Sequence, residues 1–298
     1  MKLRKGAFTG GAFDASRVFI EAAADMLPAA ILFDLDDTLF DHRHASAIAL
    51  AAMHAAHAPD LPFEAFAIRH AEVLERFHQR FLAGELSLDD ARVARMQTLF
   101  ARFDRPLDAA TAGRAASLYR EHHQANRRLV AGARELLEVL GDHCRLGIVT
   151  NNSTLEQTEK LRALNISGYF DTVVISEDVG VIKPDPRIFA IALERIGAQP
   201  REAVFIGDSW DNDIGGALSA GMAAVWFNRD DETPALERVS GQNAVTSLAN
   251  AGVSYSRLKT ITSLTPTAAV ITAVKTAFAN RTHGAKEHEQ LATLAPRT

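Results

Sequence analysis

Residues 31–40 read Ile-Leu-Phe-Asp-Leu-Asp-Asp-Thr-Leu-Phe, an apolar run broken by three carboxylates at Asp34, Asp36 and Asp37. With Ala30 in front, Ala30 to Leu35 suits a buried parallel strand, apolar on both faces, that delivers a carboxylate at its C-terminal end. Three later segments repeat the design: CRLGIVT ends in Thr150, TVVIS in Ser176 and AVFIGD in Asp208. Helical patterns at Ala133 to Leu140, Thr154 to Leu164 and Arg187 to Ile196 alternate with them. That alternation predicts an α/β fold on a doubly wound, Rossmann-like parallel sheet. Ligands of such sheets bind outside the carboxyl ends of the strands. Polar residues far apart in the chain therefore converge on one crevice.

Outward from the first strand, the pattern between Asp41 and about Arg128 is helical only. Phe63, Phe66, His70, Val73, Leu74, Phe77 and Phe81 mark one helix face, and more helix follows at Asp89 to Phe103 and Asp108 to Gln124. Residues 43–128 thus read as an α-helical cap inserted into a core made of residues 29–42 and 129–235. The aromatic stripe reads as bundle core, with a side chain or two left to shape a substrate pocket. His54, His57, His122 and His123 lack an accompanying cysteine or carboxylate cluster at ligand spacing and read as solvated helix faces. Residues 1–28 form an N-terminal extension in which Asp14 to Ala24 suits a helix and Met26 suits an alternative start. Residues 236–298 form a C-terminal extension, partly helical or disordered. It holds a short strand near Ala244 to Leu248, a helix from Thr265-Pro266 to Phe278 and a frayed end over 281–298.

Among the 298 residues, 23% are charged and the net charge is −5, which predicts no broad basic face for a nucleic acid polymer. The single cysteine, Cys144, excludes an internal disulfide framework and suits a reducing cytoplasm. Placed just before the apolar run Leu146 to Val149, it reads as a buried, inert thiol. No segment reaches the roughly 18 apolar residues needed to span a bilayer. Lys2, Arg4 and Lys5 are followed by no apolar stretch of signal-peptide length. The chain is expected to be cytoplasmic, with no membrane partner.

A pair of acids at i and i+2 is a weak signal by itself. Here Asp34 ends an apolar strand, where a buried carboxylate is costly without a cation or strong hydrogen bonds. The other strand ends add Thr150-Asn151-Asn152, Lys183-Pro184-Asp185, and Gly207-Asp208-Ser209 with Asp213. Carboxylates, one lysine and hydroxyl or amide donors on one edge suit a phosphate and its metal. Mg²⁺ takes few carboxylates and keeps water and phosphate oxygens in its octahedron.

These four motifs, in this order, resemble those of the haloacid dehalogenase superfamily, in the branch with a helical cap inserted after the first motif. The resemblance covers roughly residues 30–230. It implies that Asp34 attacks phosphorus and becomes an aspartyl phosphate. Asp36 would protonate the leaving oxygen and then deprotonate the attacking water, with its backbone carbonyl on the metal. Thr150 and the backbone amide of Asn151 would hold phosphoryl oxygens, while Lys183 neutralises the phosphate and Asp34. Asp208 would bind Mg²⁺ directly. Asp213 would orient a metal-bound water or Lys183, with direct ligation as the alternative, so the implied metal set is Asp34, Asp36, Asp208 and Asp213. Asp37 and Asp185 read as structural.

Asp36 argues for a phosphatase over a dehalogenase, because a halide leaves unprotonated. A phosphomutase keeps the same pattern. A phospho-acceptor regulatory module shares the acids but is shorter and lacks the helical insertion. The expected partner is a small phosphorylated metabolite of the nucleotide monophosphate or sugar phosphate class, with the leaving group chosen by the cap.

Overall fold

The computed structural model describes residues 27–230, 257–265 and 267–280. Six strands form one sheet: β1 (Ala30–Phe33), β2 (Arg145–Thr150), β3 (Thr172–Ile175), β4 (Ala203–Gly207), β5 (Ala223–Phe227) and β6 (Leu258–Ile261). Every neighbouring pair is parallel, and the spatial order is β3-β2-β1-β4-β5-β6. The order reverses between β1 and β4, which is where an open α/β sheet leaves a crevice for ligands.

Register aligns the strand ends across that crevice. Phe33 lies beside Ile148 on one side and Ile206 on the other, so Asp34, Thr150 and Asp208 all fall at or just past the same edge. The Asp34 amide still donates to Ile206 O at 2.9 Å, which holds Asp34 in the ladder beyond the last strand residue.

All four residues of β1 are buried, as the absence of polar alternation requires. Ile31 and Phe33 face a layer built from α5 (Ala133–Gly141) and α10 (Thr267–Ala279), through Leu136, Leu140, Val270 and Val274. Leu32 faces the opposite layer, made by α8 (Pro186–Ile196) and the helical segment Trp210–Gly215 with its continuation α9 (Gly216–Ser219). The remaining core helices are α6 (Thr154–Ala163) and the short α7 (Ser176–Val179).

Between β1 and α5 the chain builds α1 (His42–His57), α2 (Phe63–Leu82), α3 (Leu88–Ala101) and α4 (Ala109–Ala125). Ser87 and Asp108 cap the last two, accepting from the amides of Asp90 at 3.1 Å and Thr111 at 2.7 Å. Ala49, Met53, Phe66, Met96, Leu99, Phe100 and Ala112 share a separate apolar core. The entering and leaving strands of this helical module are pinned together. Asp41 N–H donates to Arg128 O at 3.0 Å, Val130 N–H to Leu39 O at 2.9 Å, and the Arg128 guanidinium holds Asp41 Oδ2 at 2.7 and 2.9 Å.

Several expectations are corrected here. β5 and β6 extend the sheet beyond the four strands read from sequence, and β6 lies within the segment read as a C-terminal extension. Its sequence, Leu-Lys-Thr-Ile, is short and half polar because it forms a sheet edge. His123 is not on a solvated face but buried, with Nε2 at 3.2 Å from Nδ1 of His42, because the end of α4 folds against the first residues of α1. His54 is half-buried, bonded to Leu61 O at 2.9 Å. In the aromatic stripe Phe66, His70, Val73 and Phe77 are buried, whereas Phe63, at the first turn of α2, is 45% exposed.

Cys144 is buried, and burial pushes its thiol up to about 12. The helix read from Thr265-Pro266 is present as α10. The helix at Asp14 to Ala24, the start at Met26, the strand at Ala244 to Leu248 and the frayed end at 281–298 lie outside the described residues. Among the described residues no helix is long and apolar enough to cross a membrane.

Candidate active site

The crevice gathers Asp34, Lys183, Asp208 and Asp213. Lys183 Nζ lies 2.5 Å from Asp34 Oδ1 and 2.6 Å from Asp213 Oδ1. Asp213 sits in the helical segment after β4, and its second oxygen accepts the Ser209 amide at 3.0 Å. Asp208 is the residue after β4. The Thr38 hydroxyl donates to its Oδ1 at 3.2 Å, and the Trp226 indole N–H fixes its carbonyl at 2.8 Å. One carboxylate oxygen from each of Asp34, Asp208 and Asp213 falls within 4.8 Å of the others.

Three carboxylates around one ammonium leave negative charge in excess. Burial is the largest cause pushing Asp34 up to about 7; Asp213 and Asp36 add to it, and Lys183 opposes it. Burial and the neighbouring acids Asp34 and Asp213 likewise hold Asp208 well above its ordinary value. For Lys183 burial favours the neutral amine, but Asp213 and Asp34 outweigh it and keep the ammonium protonated. A cluster that resists full ionisation on its own, built from hard oxygen donors, fits a divalent cation such as Mg²⁺. Asp213 has one oxygen on Lys183 and the other on the Ser209 amide.

The strand-end residues after β2 complete the floor. Thr150 is buried, and its Oγ1 accepts from Gln157 Nε2 at 2.6 Å. The Asn151 side chain is spent on the neighbouring loop, accepting the Lys183 amide at 2.8 Å and donating to Lys183 O at 3.0 Å. Asn151 thereby sets the path of the backbone that aims Lys183 at Asp34.

Residues 28–221 match the haloacid dehalogenase-like hydrolase family, described as hydrolases. The chain belongs to this family. It is 31% identical over 224 residues to ribulose-1,5-bisphosphate 5-phosphatase of Halopiger xanaduensis, covering 70% of this chain and 88% of that one. It is 45% identical over 103 residues to glyceraldehyde 3-phosphate phosphatase of Methanopyrus kandleri, covering 31% of this chain and 44% of that relative. In that second comparison the chain spans less than half of its relative. Among solved structures, the HAD-hydrolase YfnB of Bacillus subtilis, solved bound to magnesium, shares the fold. Its TM-score is 0.65 at 24% identity, covering 83% of this chain and 99% of that one.

In this haloacid dehalogenase-like chain the carboxylate of Asp36 does not join the other three. Lys160 Nζ holds both its oxygens, at 2.6 and 2.9 Å, and Gln157 Nε2 donates to Oδ2 at 3.0 Å. Burial opposes its ionisation, but Lys160, His42 and Gln157 outweigh burial and hold Asp36 well below the usual carboxylate range. Lys160 and Gln157 take up the Asp36 carboxylate in this arrangement, and only its backbone carbonyl remains for the metal role that the resemblance implies. Asp37 accepts the Arg43 amide at 2.9 Å at the start of α1, and Asp185 accepts the Arg187 amide at 2.9 Å at the start of α8, both capping contacts.

Lys160, Gln157 and Thr38 are site residues that the sequence reading missed. Gln157 and Lys160 stand three apart on α6, on the face that carries Leu161 inward, directly after the Thr150 strand end. Nothing in the sequence alone sets this polar pair apart from one on a solvated face. Over the site, a cavity of about 370 Å³ runs from Asp34, Thr150 and Lys183 up to α2, α3 and α4, where Leu74, His78, Arg92, Arg95 and Tyr119 line it.

Proposed function

We propose that the protein is a Mg²⁺-dependent phosphoric monoester hydrolase that acts on a small phosphorylated metabolite through Asp34. The observation that carries this reading is the placement of Asp34, buried at the switch-point crevice, 2.5 Å from Lys183 and within one 4.8 Å cluster with Asp208 and Asp213. Relatives named as phosphatases, and a magnesium-bound structure of the same fold, support it.

In the first step a carboxylate oxygen of Asp34 attacks phosphorus, the bond to the leaving oxygen breaks, and that oxygen takes a proton from Asp36. The product is an acyl phosphate on Asp34 and a free alcohol. A water then attacks the same phosphorus and gives its proton to Asp36, and the bond to Asp34 breaks to release phosphate. Lys183 and Thr150 carry the negative charge on the transferred oxygens through both steps. Asp36 can act as the acid only after it exchanges its Lys160 contact for a proton, whereas the Lys160-paired carboxylate suits the base of the second step. Bound Mg²⁺, held by Asp34, Asp208 and the Asp36 carbonyl with Asp213 behind, would keep Asp34 ionised and offset phosphoryl charge.

A cavity of about 370 Å³ suits a metabolite rather than a polymer. The names of the relatives span both expected classes, with phosphatases of ribulose 1,5-bisphosphate and glyceraldehyde 3-phosphate beside a pyrimidine 5'-nucleotidase of Escherichia coli. The test is phosphate release from an aryl phosphate with Mg²⁺ and with chelator, in wild type and Asp34→Asn. Release is expected only with Mg²⁺ and is expected to fall to background in the variant. Undiminished turnover in a folded Asp34→Asn protein would remove the nucleophile assignment.

A further inference from the structure

The cap wall of the cavity contains a cation with no anion. Arg95, on α3, is only 9% exposed, and its Nε is buried without a hydrogen-bond partner among the described residues. The guanidinium lies 4.8 Å over the Tyr119 ring. Tyr119 is 6% exposed, and its hydroxyl also lacks a partner among the described residues. Both side chains line the cavity that Asp34 and Lys183 line from below.

The neighbouring cations differ from Arg95 in this respect. Arg92, Arg120 and Arg127 converge on Glu156, the last two at 3.5 and 3.4 Å. Lys160 is neutralised by Asp36, and Lys183 by Asp34 and Asp213. Glu75, a carboxylate on the same wall, accepts from Gln79 at 2.7 Å. Burial is the largest influence on Arg95 and disfavours its charge, and no carboxylate is among the others. A ring face offsets only part of the cost of desolvating a guanidinium, whereas a charge-assisted pair with an oxyanion uses the fork of donors fully. A guanidinium and a hydroxyl side by side, buried, unpaired and facing a cavity, form a receptor for an anion that arrives with the ligand.

We propose that Arg95, with the Tyr119 hydroxyl, binds a second oxyanion on the substrate, so that the preferred substrates are phosphate monoesters whose leaving group carries a distal carboxylate or phosphate. The proposal rests on the phosphatase reading of the Asp34 site and adds the chemistry of the leaving group. Arg95 touches no reacting atom, and its contribution falls on binding and orientation of the far end of the substrate.

Two matched pairs of esters test it in the Mg²⁺-loaded full chain: 3-phosphoglycerate against glycerol 3-phosphate for the carboxylate, and fructose 1,6-bisphosphate against fructose 6-phosphate for the phosphate. In wild type, kcat/KM should favour the member with the extra anion by roughly tenfold or more in at least one pair, and that pair identifies the oxyanion. In Arg95→Met the preference should collapse through KM, Arg95→Lys should keep part of it, and Tyr119→Phe should weaken it while the ring remains. A merely structural Arg95 would change both members of a pair alike. Equal kcat/KM within both pairs in wild type, or a preference that survives Arg95→Met intact, overturns the receptor while leaving hydrolysis established. Absence of phosphate release from the four esters and from the aryl phosphate alike overturns the phosphatase reading beneath it, whereas release from the aryl phosphate alone overturns the receptor. Were Arg95→Met to fail to fold, the wild-type ratios and Arg95→Lys would still decide.

Discussion

Asp34 and Asp36 are two residues apart and experience opposite electrostatics. Burial among other acids pushes Asp34 up to about 7, whereas Lys160, on both oxygens of Asp36, outweighs burial and holds that carboxyl below its ordinary range. Two carboxylates whose environments separate their titrations suit the different tasks proposed for them, Asp34 as nucleophile and Asp36 as proton carrier. Lys160 is the residue that sets the difference. Replacing it in Lys160→Met leaves Asp36 buried without its cation, so its pKa must rise, by roughly 1–3 units on the usual scale for a lost opposite charge. The acid limb of the pH profile of kcat/KM should then move to higher pH than in wild type, toward the ordinary carboxylate range. Superimposable profiles would show that Lys160 does not tune Asp36. Asp34, Thr150, Lys183 and Asp208 were legible in the sequence because each marks the end of an apolar strand or the loop beyond it, and strand ends converge by topology. Lys160, Gln157 and Arg95 were not, since a polar residue on a helix looks the same in sequence whether it faces water or a cavity.

At the scale of elements, the site depends on how closely the segment after β4 folds back on the strand. Gly207, the last residue of β4, has no side chain, and Asp213 occupies the space where one would stand. A Cβ there would lie 2.6 Å from Asp213 Cβ and Cγ, well inside van der Waals contact. In Gly207→Ala, Asp213 must move, and its bonds to Lys183 at 2.6 Å and to the Ser209 amide at 3.0 Å go with it. Overpacking of this kind costs about 1–3 kcal/mol, which a thermal melt should register as a lowered Tm. The larger expected effect is on Mg²⁺-dependent kcat/KM, measured at a temperature where the variant is still folded. A folded Gly207→Ala enzyme with full activity would show that the placement of Asp213 is not needed. The same elements show what sequence can carry. β1 to β4 declare themselves as unbroken apolar runs ending in polar residues. β5 begins with Ala223-Ala224, which favours helix as readily as strand, and β6 is a half-polar edge whose partner is set only by tertiary pairing.

For the whole molecule, the acid cluster and the buried histidines tie stability to pH in opposite senses. Raised carboxyls such as Asp34 and Asp208 contribute stability that is complete below their ordinary value near 3.8 and is lost as pH rises, for Asp34 through about 7. Burial lowers the pKa of His42, His70, His78 and His123, so in the same interval their contribution is lost as pH falls below the ordinary histidine value. Asp36 and Lys183 titrate outside that interval and change little across it. The raw melting temperature therefore mixes two opposing terms, but the increment that Mg²⁺ adds does not, because the histidines contribute equally with and without the ion. Binding requires ionised carboxylates, so affinity, and with it the gain that scales as RT ln(1 + [Mg²⁺]/Kd), grows as Asp34 and Asp208 release their protons. Differential scanning calorimetry in Mg²⁺ and in chelator should show the increment in Tm rising from about pH 5 to about pH 8, and vanishing in Asp208→Asn. An increment independent of pH over that range would mean that the cluster of Asp34, Asp208 and Asp213 is not where the ion binds.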